Sequence, residues 1–98
     1  MLRLIKHLLK QSIERAGIKR QVEATLVCRE FDKIIIELLG KEAENRIRAT
    51  YLKNQTLVVM TLNAVLAQEC QIHQEEIIRK INAQLKKELV KEIRIQIR

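Results

Sequence analysis

The chain has 98 residues and a formal net charge of +7 at pH 7, which allows one small, strongly basic domain. Aromatic residues make up 2% of the chain and proline is absent, so the core must be built from aliphatic side chains. Two cysteines cannot form a disulfide framework, which favours a reducing cytoplasm, and no apolar run approaches the roughly 20 residues that span a bilayer. We expect a single domain over residues 1–98, without a targeting segment and without a membrane partner.

The positive charge is concentrated at the two ends of the chain. Residues 1–20 hold six basic and one acidic residue, and residues 86–98 hold five basic and two acidic ones. Residues 21–85 hold eight basic and nine acidic residues and are close to neutral. This distribution favours a polyanionic partner, nucleic acid before an anionic membrane surface. The alternative is a charge that serves solubility alone.

Two helices separated by a glycine are predicted at the start of the chain. Apolar residues recur at helical spacing over residues 2–16, and Gly17 is expected to end this helix. A second helix is predicted from about residue 20 to residue 39, ended by Gly40, so that residues 1–40 form a helical hairpin. The apolar stripes are Leu2, Ile5, Leu9 and Ile13 in the first helix and Val27, Phe31, Ile34, Ile35 and Leu38 in the second.

The period of the pattern changes to two after Gly40, as is typical of strands. The stretch RIRATYL alternates, with Ile47, Ala49 and Tyr51 on one side and polar residues on the other. The stretch TLVVMTLN is rich in β-branched residues, and the intervening KNQ is polar. Residues 46–63 therefore predict a β-hairpin.

The last part of the chain predicts a long helix and a strand. Residues 62–85 form one amphipathic pattern that Asn63 can cap, and KEIRIQIR alternates with its isoleucines inward. With a right-handed crossover through the helix, the order α-α-β-β-α-β gives an α+β fold with a three-stranded mixed sheet. Residues 41–98 then form a ββαβ core, with the helices on one face of the sheet and the other face open to solvent.

Cys70 and His73 lie three residues apart on the predicted long helix, as two ligands of a metal site would. Zinc needs four ligands, or three and a water, and the sequence supplies no further pair. We therefore predict that both residues pack in or beside the core, and that the protein holds no metal and no other cofactor. Motifs for nucleophilic, acid–base or nucleotide chemistry are lacking, so no enzyme is expected.

Arginines on the predicted strands form the candidate binding surface. If the isoleucine side is buried, Arg46 and Arg48 point the same way as Arg94 and Arg98, and Thr61 and Gln96 extend their face. Such a face can contact phosphates, although a merely solvated face has the same pattern. The scarcity of aromatics disfavours a platform that reads the bases of a single strand. The predicted nucleic-acid-binding residues are Arg46, Arg48, Lys53, Arg94 and Arg98, with Lys6 and Lys10 on the first helix.

The first helix has a basic face of its own. We expect this helix to pack on the second one, and binding to a partner or to a membrane surface through the basic face is the alternative.

Several segments follow one another at spacings that are typical of a known family. They are ELLG ending at Gly40, LVV from Leu57, LAQEC from Leu66 to Cys70, IIRKIN ending at Asn82 and EIRIQI ending at Ile97. These segments and the order of elements resemble the DciA-like family of bacterial proteins, which are built on a K-homology-like domain, and the resemblance covers essentially the whole chain. Where the family has an aromatic residue, a tryptophan, a proline and a glycine, this sequence has Ile35, Leu66, Ala49 and Gln55.

The resemblance implies a DNA-binding accessory protein that acts with the replicative DNA helicase in replication initiation, in the bacterial cytoplasm. The Gly-x-x-Gly loop with which K-homology domains clamp single strands is absent, so that binding mode is not implied. Two alternatives remain open from the residues: an RNA- or ribosome-associated factor on the same fold, and a protein-interaction module that binds no nucleic acid.

Overall fold

A computed structural model describes the backbone of residues 2–98 and the side chains of residues 17–98. It confirms the predicted fold class, an α+β fold with a three-stranded mixed sheet. The elements are α1 Leu2–Leu39, a 3-10 helix Lys41–Ala43, β1 Ile47–Lys53, β2 Thr56–Thr61, α2 Ala64–Ile72, α3 Gln74–Leu85 and β3 Glu92–Ile97.

The first helix is continuous where two helices are predicted. α1 runs through Gly17, so the helical hairpin predicted for residues 1–40 is wrong. A glycine inside a helix costs only about 1 kcal/mol relative to alanine, which the good helix formers on either side of it outweigh. Gly40 does end α1 as predicted. Its φ of 91° is left-handed, and its N–H donates to the carbonyl oxygen of Ile36 at 2.9 Å.

The central strand of the sheet is β2, which pairs with β1 antiparallel and with β3 parallel. The parallel pair needs a crossover, and α2 and α3 provide it. The inner face of the sheet, toward the helices, carries Ile47, Ala49, Leu52, Leu57, Val59, Thr61, Ile93, Ile95 and Ile97. The outer face carries Arg48, Tyr51, Lys53, Thr56, Val58, Met60, Glu92, Arg94 and Gln96.

A β-bulge at Thr50 interrupts the alternation of β1. Ala49 pairs with Val59 and Tyr51 with the adjacent Val58, so Thr50 is the extra residue. Its hydroxyl donates to the carbonyl oxygen of Val58 at 2.9 Å. Every side chain of β1 after the bulge lies on the face opposite to the one that strict alternation predicts. The prediction that Tyr51 lies on the same face as Ile47 and Ala49 is therefore wrong.

The hairpin turn consists of Asn54 and Gln55, whose φ angles of 50° and 64° are both left-handed. Two such residues form the type of turn that matches the twist of the flanking strands. The carbonyl oxygen of Gln55 also accepts from the N–H groups of Lys91 and Glu92, at 2.8 and 3.2 Å. The turn thus fixes where β3 begins.

The single helix predicted over residues 62–85 is in fact two helices. His73, with φ −94° and ψ 12°, separates α2 from α3. Asn63 caps α2 as predicted, because its Oδ1 accepts from the N–H groups of Val65 and Leu66 at 2.9 and 3.2 Å. The bend allows α2 to lie on β3 while α3 packs against α1.

The core lies between the helices and the inner face of the sheet. Leu66, which stands where the family has a tryptophan, is partly buried and packs against the edge of the core. No helix in the part of the chain that the structure describes is long and apolar enough to cross a membrane. The buried cluster comprises Val27, Phe31, Ile34, Ile35, Ala43, Ile47, Leu57, Val59, Cys70, Ile77, Ile81, Val90 and Ile93.

Asn82 secures the loop between α3 and β3. Its Oδ1 accepts from the N–H groups of Leu89 and Val90, each at 3.0 Å, and its Nδ2 donates to the carbonyl oxygen of Val90 at 2.8 Å. Three backbone groups outside regular structure are satisfied by this one side chain, which explains why an asparagine is suited to the position.

Candidate nucleic-acid interface

The outer face of the sheet is basic. Arg48 lies on β1 and Arg94 on β3, one on each side of the central strand, and Lys53 ends β1 near the hairpin turn. All three side chains are exposed, and the contacts of the helices lie on the inner face. Glu92 is the one acidic residue of this face. The strand register thus places Arg48 and Arg94 on the outer face, as predicted.

Two more arginines lie at the end of the sheet where β2 finishes. The hydroxyl of Thr61 donates to the carbonyl oxygen of Arg46 at 2.6 Å. The carbonyl oxygen of Thr61 accepts from the N–H of Arg98 at 3.1 Å. Because these contacts run toward β1 and β3 respectively, the exposed Arg46 and Arg98 stand on opposite sides of the last residue of β2.

A groove of about 880 Å³ lies at the same end of the sheet. Its walls include the guanidinium-bearing Arg46 and Arg48 together with the apolar Met60 and Leu62. Leu62 is 79% exposed, which is high for a leucine.

Within the described side chains, residues 17–98, the arginines of the sheet form no ion pair. The ion pairs among these side chains are Lys33–Glu30, Lys80–Glu76 and Lys87–Glu23. Arg48 does have a carboxyl near it. Burial raises the pKa of Asp32 in α1, and the N–H of Ala49 and the charge of Arg48 partly oppose that rise.

The corner between α2 and α3 has the opposite electrostatic character. His73 lies with its Nε2 3.8 Å from a carboxylate oxygen of Glu69 and its Nδ1 3.6 Å from one of Glu76. Residues 64–85 contain three acidic and two basic residues. This corner therefore carries a slight excess of acidic residues, unlike the outer face of the sheet.

Cys70 packs in the core as predicted. It is fully buried, and burial raises the pKa of its thiol to about 12, so the thiol stays protonated and unreactive. His73 is half-exposed at the helix bend rather than on the apolar stripe. Within residues 17–98, no group of three or more His, Cys, Asp and Glu side chains is arranged to hold a metal ion.

The sequence assigns both Thr61 and Gln96 to the outer face, but only Gln96 lies there. Thr61 is 2% exposed and lies on the inner face, because it pairs with Ile47 and continues the alternation of Leu57 and Val59. Its assignment to the outer face is wrong. Gln96 does lie on the outer face, beside Met60. Lys6 and Lys10, the predicted binding residues of the first helix, lie outside the described side chains.

Sequence reasoning misses Tyr51 as an outer-face residue. Its outward orientation can be inferred from the position of the hairpin turn, but not from the alternation of apolar and polar residues in β1. Counting back from the two-residue turn, Leu52 pairs with Leu57 on the inner face, so Tyr51 must point outward. The side chain is 50% exposed.

The structure thus defines a small basic α+β protein with an uncovered sheet face that carries arginines. The sequence profile of the family described as Dna[CI] antecedent, DciA, matches residues 4–95 of the 98-residue chain. The chain belongs to this family. Among curated proteins, none matches the sequence significantly. Membership implies a role of the helicase-loader type in the initiation of bacterial DNA replication, in a family of accessory proteins that is not known for enzymes.

Proposed function

We propose that the protein binds DNA through the outer face of its sheet and acts with the replicative DNA helicase as a non-enzymatic accessory factor in the bacterial cytoplasm. The observation that supports DNA binding is the row of exposed arginines on an uncovered sheet, with Arg48 and Arg94 on the face and Arg46 and Arg98 at its end. The helicase contact rests on membership in the DciA family.

Phosphate binding by such a face is expected to be strong at low salt and weak at high salt. Each phosphate that an arginine neutralises releases roughly 0.7–0.9 condensed counterions, which favours association. The six residues of β2 measure about 20 Å along the strand at the usual rise per residue, so the face extends over several nucleotides. Contacts of this kind position the polymer and carry little sequence preference.

The decisive variant replaces three of the sheet arginines. In Arg46→Gln/Arg48→Gln/Arg94→Gln we expect lower affinity for all DNA sequences alike. The slope of log affinity against log salt should flatten by about two to three units, since three phosphate contacts are lost. Fluorescence anisotropy with labelled single- and double-stranded DNA across a salt series measures both quantities.

A matched control separates the sheet face from net charge. Arg20, Arg29 and Arg79 are also exposed but lie on the helices, so changing all three to Gln removes the same charge elsewhere. This control should bind nearly as the unaltered chain does. Equal loss in the two triple variants would mean that total charge, and not this face, attracts DNA. If only Lys6→Gln/Lys10→Gln weakens binding, the contact lies on the first helix.

The choice of polymer and of protein partner needs a second experiment. The same anisotropy series with RNA of matched length compares the two polymers directly. Capture of proteins from the native host on the immobilised chain should enrich the replicative helicase. Enrichment of ribosomal proteins, together with tighter binding to RNA, would favour the RNA-associated alternative.

A further inference from the structure

The single tyrosine of the chain stands in the middle of the basic face. The sequence contains one Tyr, one Phe and no Trp. Phe31 is fully buried in the core, whereas Tyr51 lies half-exposed on the outer face of the sheet. Of these two rings, the one that solvent can reach is therefore placed among the residues proposed to bind nucleic acid.

The position of Tyr51 is set by the register of the hairpin and not by a mobile loop. It belongs to β1 and pairs with Val58 on the central strand. The bulge at Thr50, held by the bond from its hydroxyl to the carbonyl oxygen of Val58, turns Tyr51 outward. A side chain on a paired strand loses little further backbone entropy when a ligand binds, which favours a preorganised contact.

The neighbours of Tyr51 provide both charge and an apolar base. Across the sheet the order is Tyr51, Val58, Arg94, and on its own strand Tyr51 is flanked by Arg48 and Lys53. Val58 points to the outer face, yet it is only 4% exposed. The tyrosine, as its cross-strand partner, thus stands beside a buried apolar side chain and between cations.

We infer that Tyr51 stacks on an unpaired base and that the outer face takes single-stranded nucleic acid in preference to duplex. This inference rests on the proposed function. Cations serve the phosphates of either form, but the flat faces of duplex bases are already stacked on one another and cannot cover a protein ring. A single exposed ring adds affinity for single strands without reading sequence, because every base offers a π-face.

Two substitutions at this position test the role of the ring. Tyr51→Leu removes the ring but keeps an apolar side chain beside Val58, and Tyr51→Phe keeps the ring. Against a labelled oligo-dT, Tyr51→Leu should bind about 5- to 150-fold more weakly, the range for the loss of one stacked base. Its affinity for a duplex of the same length should change less than about twofold, and Tyr51→Phe should match the unaltered chain on both ligands.

Intrinsic fluorescence gives an independent readout. With one tyrosine and no tryptophan, the emission of the chain comes from Tyr51 alone. Titration with oligo-dT should quench it, and an oligonucleotide of equal phosphate count without bases should not. The same baseless ligand should also bind the unaltered chain and Tyr51→Leu equally.

The outcomes that overturn the inference differ from those that overturn the proposed function. Equal losses on single strand and duplex, no loss on either, or a loss in Tyr51→Phe as large as that in Tyr51→Leu would each exclude base stacking. If the triple arginine variant still loses affinity in that case, DNA binding by the face stands without the stacking. If the unaltered chain binds neither ligand at low salt, both proposals fall together.

Discussion

The two faces of the sheet bury neighbouring valines for different reasons. Val59 is fully buried because the helices cover the inner face, and it belongs to the main core cluster. Val58 is 4% exposed although it points the other way, and it lies outside that cluster. The inner face thus contributes to the main core cluster, while the outer face does not. Substitutions on the two faces should separate stability from binding.

The largest expected effect is on the helical side of the inner face. Phe31 is fully buried in α1, and Phe31→Ala leaves a cavity that should cost about 3–5 kcal/mol of unfolding free energy. That is a large part of the roughly 5–15 kcal/mol that a domain possesses. Urea denaturation followed by circular dichroism measures it. A loss below about 1 kcal/mol would contradict the packing of α1 on the sheet.

The loop that leads into β3 should be the next most sensitive place. Asn82→Ala removes three hydrogen bonds and leaves backbone groups of the loop without partners, at a cost of about 2–3 kcal/mol. Gln84→Ala, at an exposed site on the same helix, is the control and should change stability by less than about 0.5 kcal/mol. The urea midpoints of the two variants compare them. Equal effects would mean that the Asn82 bonds are dispensable.

The two valines test the comparison directly. Val59→Ala should cost about 2 kcal/mol, since two methyl groups leave an enclosed core. Val58→Ala should cost about 1 kcal/mol or less, because neighbouring side chains can settle into the space. Thermal or urea unfolding distinguishes the two. A larger loss at Val58 would show that the outer face also carries the stability of the fold.

The smallest expected effect is a pH-dependent gain in stability on replacing Asp32. Folding raises the pKa of Asp32, so the folded chain binds a proton there more readily than the unfolded chain. The carboxyl therefore favours folding when it is protonated, and that advantage is lost as the pH rises through its folded pKa. Asp32→Asn should stabilise the protein at pH 7 by well under about 1 kcal/mol, because water screens the partly solvated group.

The gain at Asp32 should vanish in acid, where both states of the unaltered chain are protonated. Urea unfolding of the two proteins at pH 7 and at about pH 2.5, more than one unit below the usual pKa of an aspartate, measures the difference. A variant less stable than the unaltered chain at pH 7 would mean that the attraction between Asp32 and Arg48 outweighs the burial of the carboxylate.

Local signals predict most of the fold. The change from helical to alternating period locates the hairpin and the last strand, and Gly40 and Asn63 mark helix boundaries correctly because their chemistry acts on neighbouring backbone groups. The helix end predicted at Gly17 is absent, and the break at His73 is not predicted, because local chemistry determines neither. A lone glycine does not force a helix to end, and nothing in the residues around His73 signals the bend, which depends on how α2 and α3 meet the rest of the molecule.

The candidate site, like the fold, is predicted only in part from the sequence. The outward direction of Arg48 and Arg94 follows from alternation on each side of the central strand. The faces on which Thr61 and Tyr51 lie are not predicted in this way. Thr61 continues the buried run of β2, and Tyr51 follows a bulge that alternation cannot reveal. Register is a property of two strands, and one strand read alone does not contain it.

The bulge at Thr50 also has a consequence for comparing chains of different length. Ile47, Arg48 and Ala49 pair before it, and Tyr51, Leu52 and Lys53 pair after it. Removal of Thr50 would leave all six pairs on their present faces. A relative that is one residue shorter in this hairpin should therefore be aligned with its gap at Thr50 and not in the turn. If the gap were placed in the turn, three positions after the bulge would pair solvent-facing residues of one chain with helix-facing residues of the other. The tyrosine of this chain would then be aligned with a residue that does not correspond to it.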